Sequence, residues 1–286
     1  MKLHPKFSGR GARLEDMIRT LFRSLEAVHG MIYFAPEAET RYASVGLDRP
    51  GGYFASRAAA LGPVGAEVVI STFYNFNPEI VRARIPQAWE KVTPQRMLEL
   101  RWEAADEALR KVLPDDLKEI TELAKRAAER AKEMLSGRTL FAAHASLPWP
   151  DDTLLQLFHA QTLLREFRGD GHLAALLRQN VTGIEALVLH AATGDYPGEV
   201  LRKTRAWSEE QWAATVEDLR KRGLVGDDQL LTDKGRELRQ GIEDDTDHMA
   251  APAYDVLSEQ EKQRFVELAT PLSKAVVEGG LLPGRR

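Results

Sequence analysis

The sequence predicts an all-α fold on two observations. Apolar residues recur at three- and four-residue steps along most of the chain, the spacing that gives a helix one buried face. The breaks between these stretches carry helix punctuation. Pro36, Pro78 and Pro94 suit first helical positions, Asn77 and Thr93 suit side-chain caps, and Gly46 and Gly137 suit stops.

In chain order, Leu14, Met17, Ile18, Leu21, Phe22, Leu25 and Val28 form one stripe and set a first helix over 13–33. A short helix follows over 36–45. Gly51-Gly52 reads as a break before another short helix over 53–61. Residues 67–73 have strand propensity through Val68, Val69, Ile70 and Thr72, yet in so helical a chain they read as a buried helix. Asn77-Pro78 opens a helix to about Ile85, and Thr93-Pro94 opens one to Leu113. Pro114-Asp115-Asp116 breaks the pattern, and 117–135 is an amphipathic helix whose charges are a solvated face. After the stiff turn Pro148-Trp149-Pro150-Asp151, a helix over 153–167 is expected. Arg168-Gly169-Asp170-Gly171 is expected to interrupt or kink it, with helix resuming at His172 and ending near Asn180. A boundary there divides the chain into a helical domain, 1–180, and a second domain, 181–286.

The length of 286 residues suits about two domains, and 43% hydrophobic with 29% charged residues is a globular composition. The absence of cysteine removes disulfides, thiolate nucleophiles and cysteine metal sites. No apolar run approaches the roughly 18 to 20 residues of a membrane span. The N-terminal Met1-Lys2-Leu3-His4-Pro5-Lys6 is followed by no apolar signal region, so a soluble cytoplasmic protein is expected. The net charge of −4 implies neither a nucleic-acid nor a membrane partner.

From Thr182 onward the order is helix, turn, helix, a Ser208–Gln211 capping box, and a third helix stopped by Gly223. Two short strands around Gly226-Asp227-Asp228 and a long helix from Thr232 follow. The runs Leu219-Arg220-Lys221-Arg222-Gly223-Leu224-Val225 and Leu231-Thr232-Asp233-Lys234-Gly235-Arg236-Glu237-Leu238 resemble the wing region of multiple-antibiotic-resistance-type (MarR-like) winged-helix regulators. The resemblance implies a winged helix with a small β-wing, a third helix that enters the DNA major groove, and a homodimer. Charge opposes the DNA implication. Residues 180–247 hold nine Lys and Arg against fifteen Asp and Glu, a net 9 − 15 = −6. Arg202, Lys203 and Arg205 offer a local basic patch. Trp207 and Trp212 read as core of this unit. The whole chain also resembles a bacterial family labelled by its helix-turn-helix segment. That likeness rests on His29-Gly30-Met31-Ile32-Tyr33-Phe34-Ala35-Pro36-Glu37, Phe73-Tyr74-Asn75-Phe76-Asn77-Pro78 and Leu164-Arg165-Glu166-Phe167-Arg168-Gly169-Asp170-Gly171-His172. It implies no mechanism.

Three polar constellations are candidates for chemistry. His29 and Tyr33 share a helix face with Glu37 just beyond, a set that could transfer protons or simply satisfy itself in the core. Tyr74, Asn75 and Asn77 could wall a ligand pocket or serve as a capping turn. Arg165, Arg168, Asp170 and His172 could bind a carboxylate or phosphate, or form an internal ion-pair knot, and Arg57 and Arg101 could join either role. No pair among His29, Glu37, Asp170, His172 and His190 has a recognised metal-ligand spacing, so no metal is assigned, and no cofactor or reaction is named. The preferred expectation is a small-molecule-binding protein, sensor or enzyme, whose winged helix is mainly structural. The alternative is a ligand-responsive DNA-binding regulator.

Overall fold

The computed structural model describes residues 14–282. Its elements are α1 Leu14–Gly30, extended by a 3-10 turn Met31–Tyr33, then α2 Pro36–Ala43, α3 Arg49–Ala58, α4 Ala66–Phe73, α5 Pro78–Arg82, α6 Ile85–Lys91, α7 Pro94–Leu109, α8 Lys118–Ala131 and α9 Thr139–Ala145. α10 Thr153–Arg178, α11 Gly183–Ala191, α12 Gly198–Thr204, α13 Glu209–Lys221, α14 Asp233–Ala250 and α15 Glu259–Glu278 complete it. The all-helical expectation holds, and residues 67–73 are helix. Arg13, at the start of the expected first helix, lies outside the described residues.

α10 is the central pillar. It packs against α1, α7, α8, α9 and α14, and its buried residues lie all around its circumference. The main core joins Leu21, Leu25 and Val28 of α1, Leu100 and Ala104 of α7, Leu163 of α10 and Phe265 of α15. α15 returns to lie along α1, where Ser273 Oγ donates to the Ser24 carbonyl at 2.6 Å. Each fully buried Leu or Phe here contributes about 1.5–3 kcal/mol. A second core, including Val188, Leu219, Leu224, Leu231 and Ile242, belongs to the C-terminal helices. A third packs Phe54, Phe73, Phe76, Val81 and Ile85.

Several expectations are corrected. Gly51 and Gly52 do not break the chain. Asp48 caps α3 by accepting from Gly51 N at 2.8 Å, and Pro50 sits in the first turn, so the helix starts before them. A Cβ at Gly52 would lie 2.7 Å from the Tyr42 ring, so glycine is there for the close approach of α2. The segment Arg168-Gly169-Asp170-Gly171 does not kink α10, which runs unbroken for 26 residues. Gly171 faces Arg138 and Met249, whose atoms a Cβ would meet at 3.1 and 3.3 Å. The packing of α14 thus outweighs the roughly 1 kcal/mol helix cost of Gly171. Finally, the expected two-stranded wing reduces to one antiparallel bridge, Val225 with Leu231. Its two ladder bonds run from Gly226 N to Leu230 O at 2.8 Å and from Thr232 N to Leu224 O at 3.1 Å, while Leu231 N points outward and donates to Ala192 O at the end of α11, at 2.9 Å. The helix expected to end near Ile85 is α5, which ends at Arg82, and α6 and α9 were not anticipated.

Candidate functional site

The first constellation forms around the end of α1. His29 is fully buried, with Nε2 2.7 Å from the Tyr33 hydroxyl and Nδ1 3.0 Å from Thr162 Oγ1 on α10. The Thr162 hydroxyl donates to Phe158 O at 2.8 Å, so it accepts from His29 Nδ1–H. That tautomer leaves Nε2 to accept from Tyr33. Burial, followed by the charges of Arg165, Arg101 and Arg57, pushes His29 well below its ordinary value, so the ring is neutral. Glu37 is not part of the set, because its carboxylate meets Lys111 at 2.7 Å.

Around Tyr33 the fold gathers three guanidiniums from three helices. Arg101 of α7 lies 5.6 Å and Arg165 of α10 5.5 Å from the Tyr33 ring centroid, and Arg57 of α3 is the third cation acting on the phenol. Glu166, 1% exposed, pairs with Arg57 at 3.0 Å and with Arg165 at 2.9 Å. Burial opposes its ionisation, but the two arginines prevail and hold it at about 2. Glu26 pairs with Arg165 at 3.1 Å. Arg101 differs from both. It is 1% exposed, its two terminal amines donate to nothing, and it forms no ion pair among the described residues. Leaving a buried charge without its partner costs about 3–5 kcal/mol. The histidine nearby does not add to this charge, since burial lowers His144 to about 3.

Sequence reasoning selected Arg57, Arg101 and Arg165 but did not single out Glu166, which it counted only within a possible internal ion-pair knot. It also missed Glu26, Tyr42 and His144. A carboxylate directly after an arginine, inside an apolar helix, was the available signal for Glu166.

The constellation on α10 splits in two. Arg165 and Glu166 face the cluster just described. Arg168 and His172 face α14: Arg168 pairs with Asp247 and Glu243, both at 2.9 Å, and His172 Nδ1 lies 3.0 Å from Thr246 Oγ1. Arg19 closes this network on fully buried Asp247 at 2.7 Å. Asp170 does not contact His172. Its Oδ2 accepts from Phe141 N at 2.9 Å and so caps α9. Burial raises Asp170 to about 6 against that hydrogen bond.

The turn after α4 forms a clamp. The Tyr74 hydroxyl donates to Val181 O at 2.5 Å, Trp207 Nε1 donates to Asn75 O at 2.9 Å, and Asn77 N donates to Arg205 O at 2.9 Å. Asn77 Oδ1 also caps α5, and its Nδ2 donates to Gln211 Oε1 at 3.3 Å. Tyr74 has φ 56°, a conformation rare for an aromatic residue. Its carbonyl faces Gly183 so closely that a Cβ there would lie 2.0 Å away. Tyr74, Asn75 and Asn77 therefore tie the start of α11 and the start of α13 to the helical body.

α12 and α13 are joined by a tight turn, with Ala206 at φ 59° and the Ser208–Gln211 capping box opening α13. Much of the expected basic patch is engaged internally. Arg202 bonds Trp207 O and Glu209, and Arg205 lies over the Phe76 ring at 4.9 Å. Toward the end of α13, Arg220 pairs with Glu217 and Asp227, Lys221 with Asp218, and Arg222 with Glu185.

Among the described residues no group of three or more His, Cys, Asp and Glu is placed to hold a metal ion, and no helix is long and apolar enough to cross a membrane. The fold and the α12–α13 pair define a helical protein bearing a helix-turn-helix unit. The chain belongs to the Helix-turn-helix family, whose model matches residues 18–283. Comparison with curated proteins and with solved structures gave no match.

Proposed function

We propose that the protein is a transcription regulator that contacts DNA through α13. Family membership and the helix–turn–helix order of α12 and α13 support this over a unit kept only for packing. The observation that carries it is the outer face of α13. Glu210, Ala213, Ala214, Glu217, Asp218 and Lys221 fall on one stripe, and all are exposed. Ala213 and Ala214 at its centre let a helix backbone sit deep in a major groove, and the acids can accept from cytosine N4.

Charge then shapes the binding. A segment of net −6 repels phosphate, so non-specific affinity falls below the usual 10⁻⁴–10⁻⁶ M dissociation constants and base contacts decide the outcome. The test is selection from a random duplex library at about 150 mM salt, a physiological ionic strength. One enriched sequence is expected, palindromic if the homodimer expectation is correct, and Ala214→Trp on the exposed stripe abolishes its binding. Selection that converges on nothing would sink this reading.

A further inference from the structure

We propose that the outer face of α14 is a self-association surface, on which a second copy of the chain crosses antiparallel at Gly241. The inference is independent of the DNA reading and starts from a glycine with no use inside its own fold. Gly241 lies at the middle of α14, where glycine weakens a helix by about 1 kcal/mol relative to alanine. Gly52, Gly171 and Gly235 offset that loss by admitting another part of the chain, since a Cβ on them would meet atoms at 2.7, 3.1 and 2.1 Å. A Cβ on Gly241 would meet nothing within 4 Å.

The space beside it has an apolar floor. Gly241 lines an open groove of about 480 Å³, with Leu224 and Leu238 below and Gln179, Arg222, Lys234 and Glu237 around it. Side chains at the crossing point set how closely two helices approach, and a glycine there allows the closest contact.

Charge selects the occupant. Lys234, Glu237, Gly241 and Asp245 recur at three- and four-residue steps, so they share one face of α14. Lys234 and Glu237 form no ion pair among the described residues, and Lys234 donates only to the Arg222 carbonyl, at 2.9 Å. Beyond Gly241, Asp245 meets Arg178, which is 71% exposed, at 2.8 Å. A two-fold axis at Gly241 brings Lys234 of one copy to Asp245 of the other, and Glu237 to Arg178 of the other. Along the contact the charges then alternate in sign, and the symmetry repeats the set. Glu237 and Asp245 would repel a nucleic-acid backbone laid on the same face. The exposed stripe of α13 contributes no residue to the groove and stays free in both copies. One helix of 18 residues, about 27 Å long, makes a small contact, so the dimer is weak and depends on concentration.

The experiment is sedimentation equilibrium of the full chain over roughly 1–100 μM, the range in which a weak interface fills. Wild type, Gly241→Leu, Lys234→Glu, Asp245→Lys and an equimolar mixture of the last two are compared. Wild type is expected to pass from monomer to dimer. Gly241→Leu stays monomeric, yet in dilute solution it melts no lower than wild type, because its side chain enters open space. Each charge variant alone turns two attractive pairs into two repulsive ones and self-associates at least about tenfold more weakly. Their mixture recovers the wild-type affinity, because the heterodimer has an attractive pair at both positions. The proposal is overturned if wild type is monomeric throughout, or if Gly241→Leu or either charge variant alone dimerises like wild type. It is equally overturned if dilute Gly241→Leu melts below wild type, or if the mixture associates no more tightly than its components.

Discussion

Replacing Glu166 with Gln tests the account of the buried arginine cluster directly. Glu166 is 1% exposed and accepts from Arg57 at 3.0 and 3.3 Å and from Arg165 at 2.9 Å. Its carboxyl is held at about 2 against an ordinary 4.5. A difference of 4.5 − 2, at 1.36 kcal/mol per unit, is about 3 kcal/mol, consistent with the cost of breaking a buried pair. Because the folded value is depressed, this contribution is complete above pH 4.5 and is lost as pH falls through about 2. Gln preserves shape and one acceptor but removes the charge. Urea unfolding should therefore show Glu166→Gln about 3 kcal/mol less stable than wild type at pH 7, with the gap narrowing below pH 4.5. His144 and His159, lowered by burial to about 3 and about 4, destabilise both proteins as pH falls below 6.5, so they largely cancel in the difference. A gap under about 1 kcal/mol at pH 7, or one independent of pH, would refute the reasoning.

Asp170→Asn should have the opposite sign. The acid is raised from 3.8 to about 6, so the stability it contributes is present below pH 3.8 and lost as pH rises through 6. Asn still accepts from Phe141 N, so the variant should be about 2 kcal/mol more stable than wild type at pH 8 and indistinguishable at pH 4, by the same denaturation assay. Gly183→Ala places a Cβ 2.0 Å from the Tyr74 carbonyl. Overpacking of this kind costs about 1–3 kcal/mol. It should open the clamp, with a red shift of Trp207 emission as its indole loses Asn75; unchanged emission and stability would remove the clamp from the account.

The helices were legible because their signals are local. Asn77-Pro78, Thr93-Pro94 and the Ser208–Gln211 box place donors and acceptors within three residues of each other, and all three cap as expected. The errors arise where a distant partner decides. Gly52 and Gly171 read as breaks because glycine lowers helix propensity, but each admits another helix, through Tyr42 and Met249. Asp170 was assigned to its own neighbourhood and instead caps α9, 29 positions away in sequence. The aromatic-amide turn was recognisable as unusual, but its partners at Val181, Arg205, Trp207 and Gln211 lie more than 100 residues along the chain. The three arginines were selected by type. That one of them lacks a counter-ion is a property of packing, and no spacing reveals it.

The clamp also limits how α13 can meet a duplex. In helix-turn-helix proteins the first residues of the recognition helix commonly reach the base edges. Here that turn is engaged. Gln211 accepts from Asn77, and Trp207 and Arg205, just before the helix, are bonded to the same loop. The other end of the unit is fixed as well, because α14 runs from the helix-turn-helix core into the Arg19–Asp247–Arg168 network on α10. With both ends held, α13 cannot swing outward without breaking the Trp207–Asn75, Asn77–Arg205 and Asn77–Gln211 hydrogen bonds, at roughly 1 kcal/mol each. In the DNA-binding reading proposed above, groove contact begins at Ala213 and Ala214 and continues toward Lys221. On this stripe the two alanines allow close approach, and the first cation appears only at the far end.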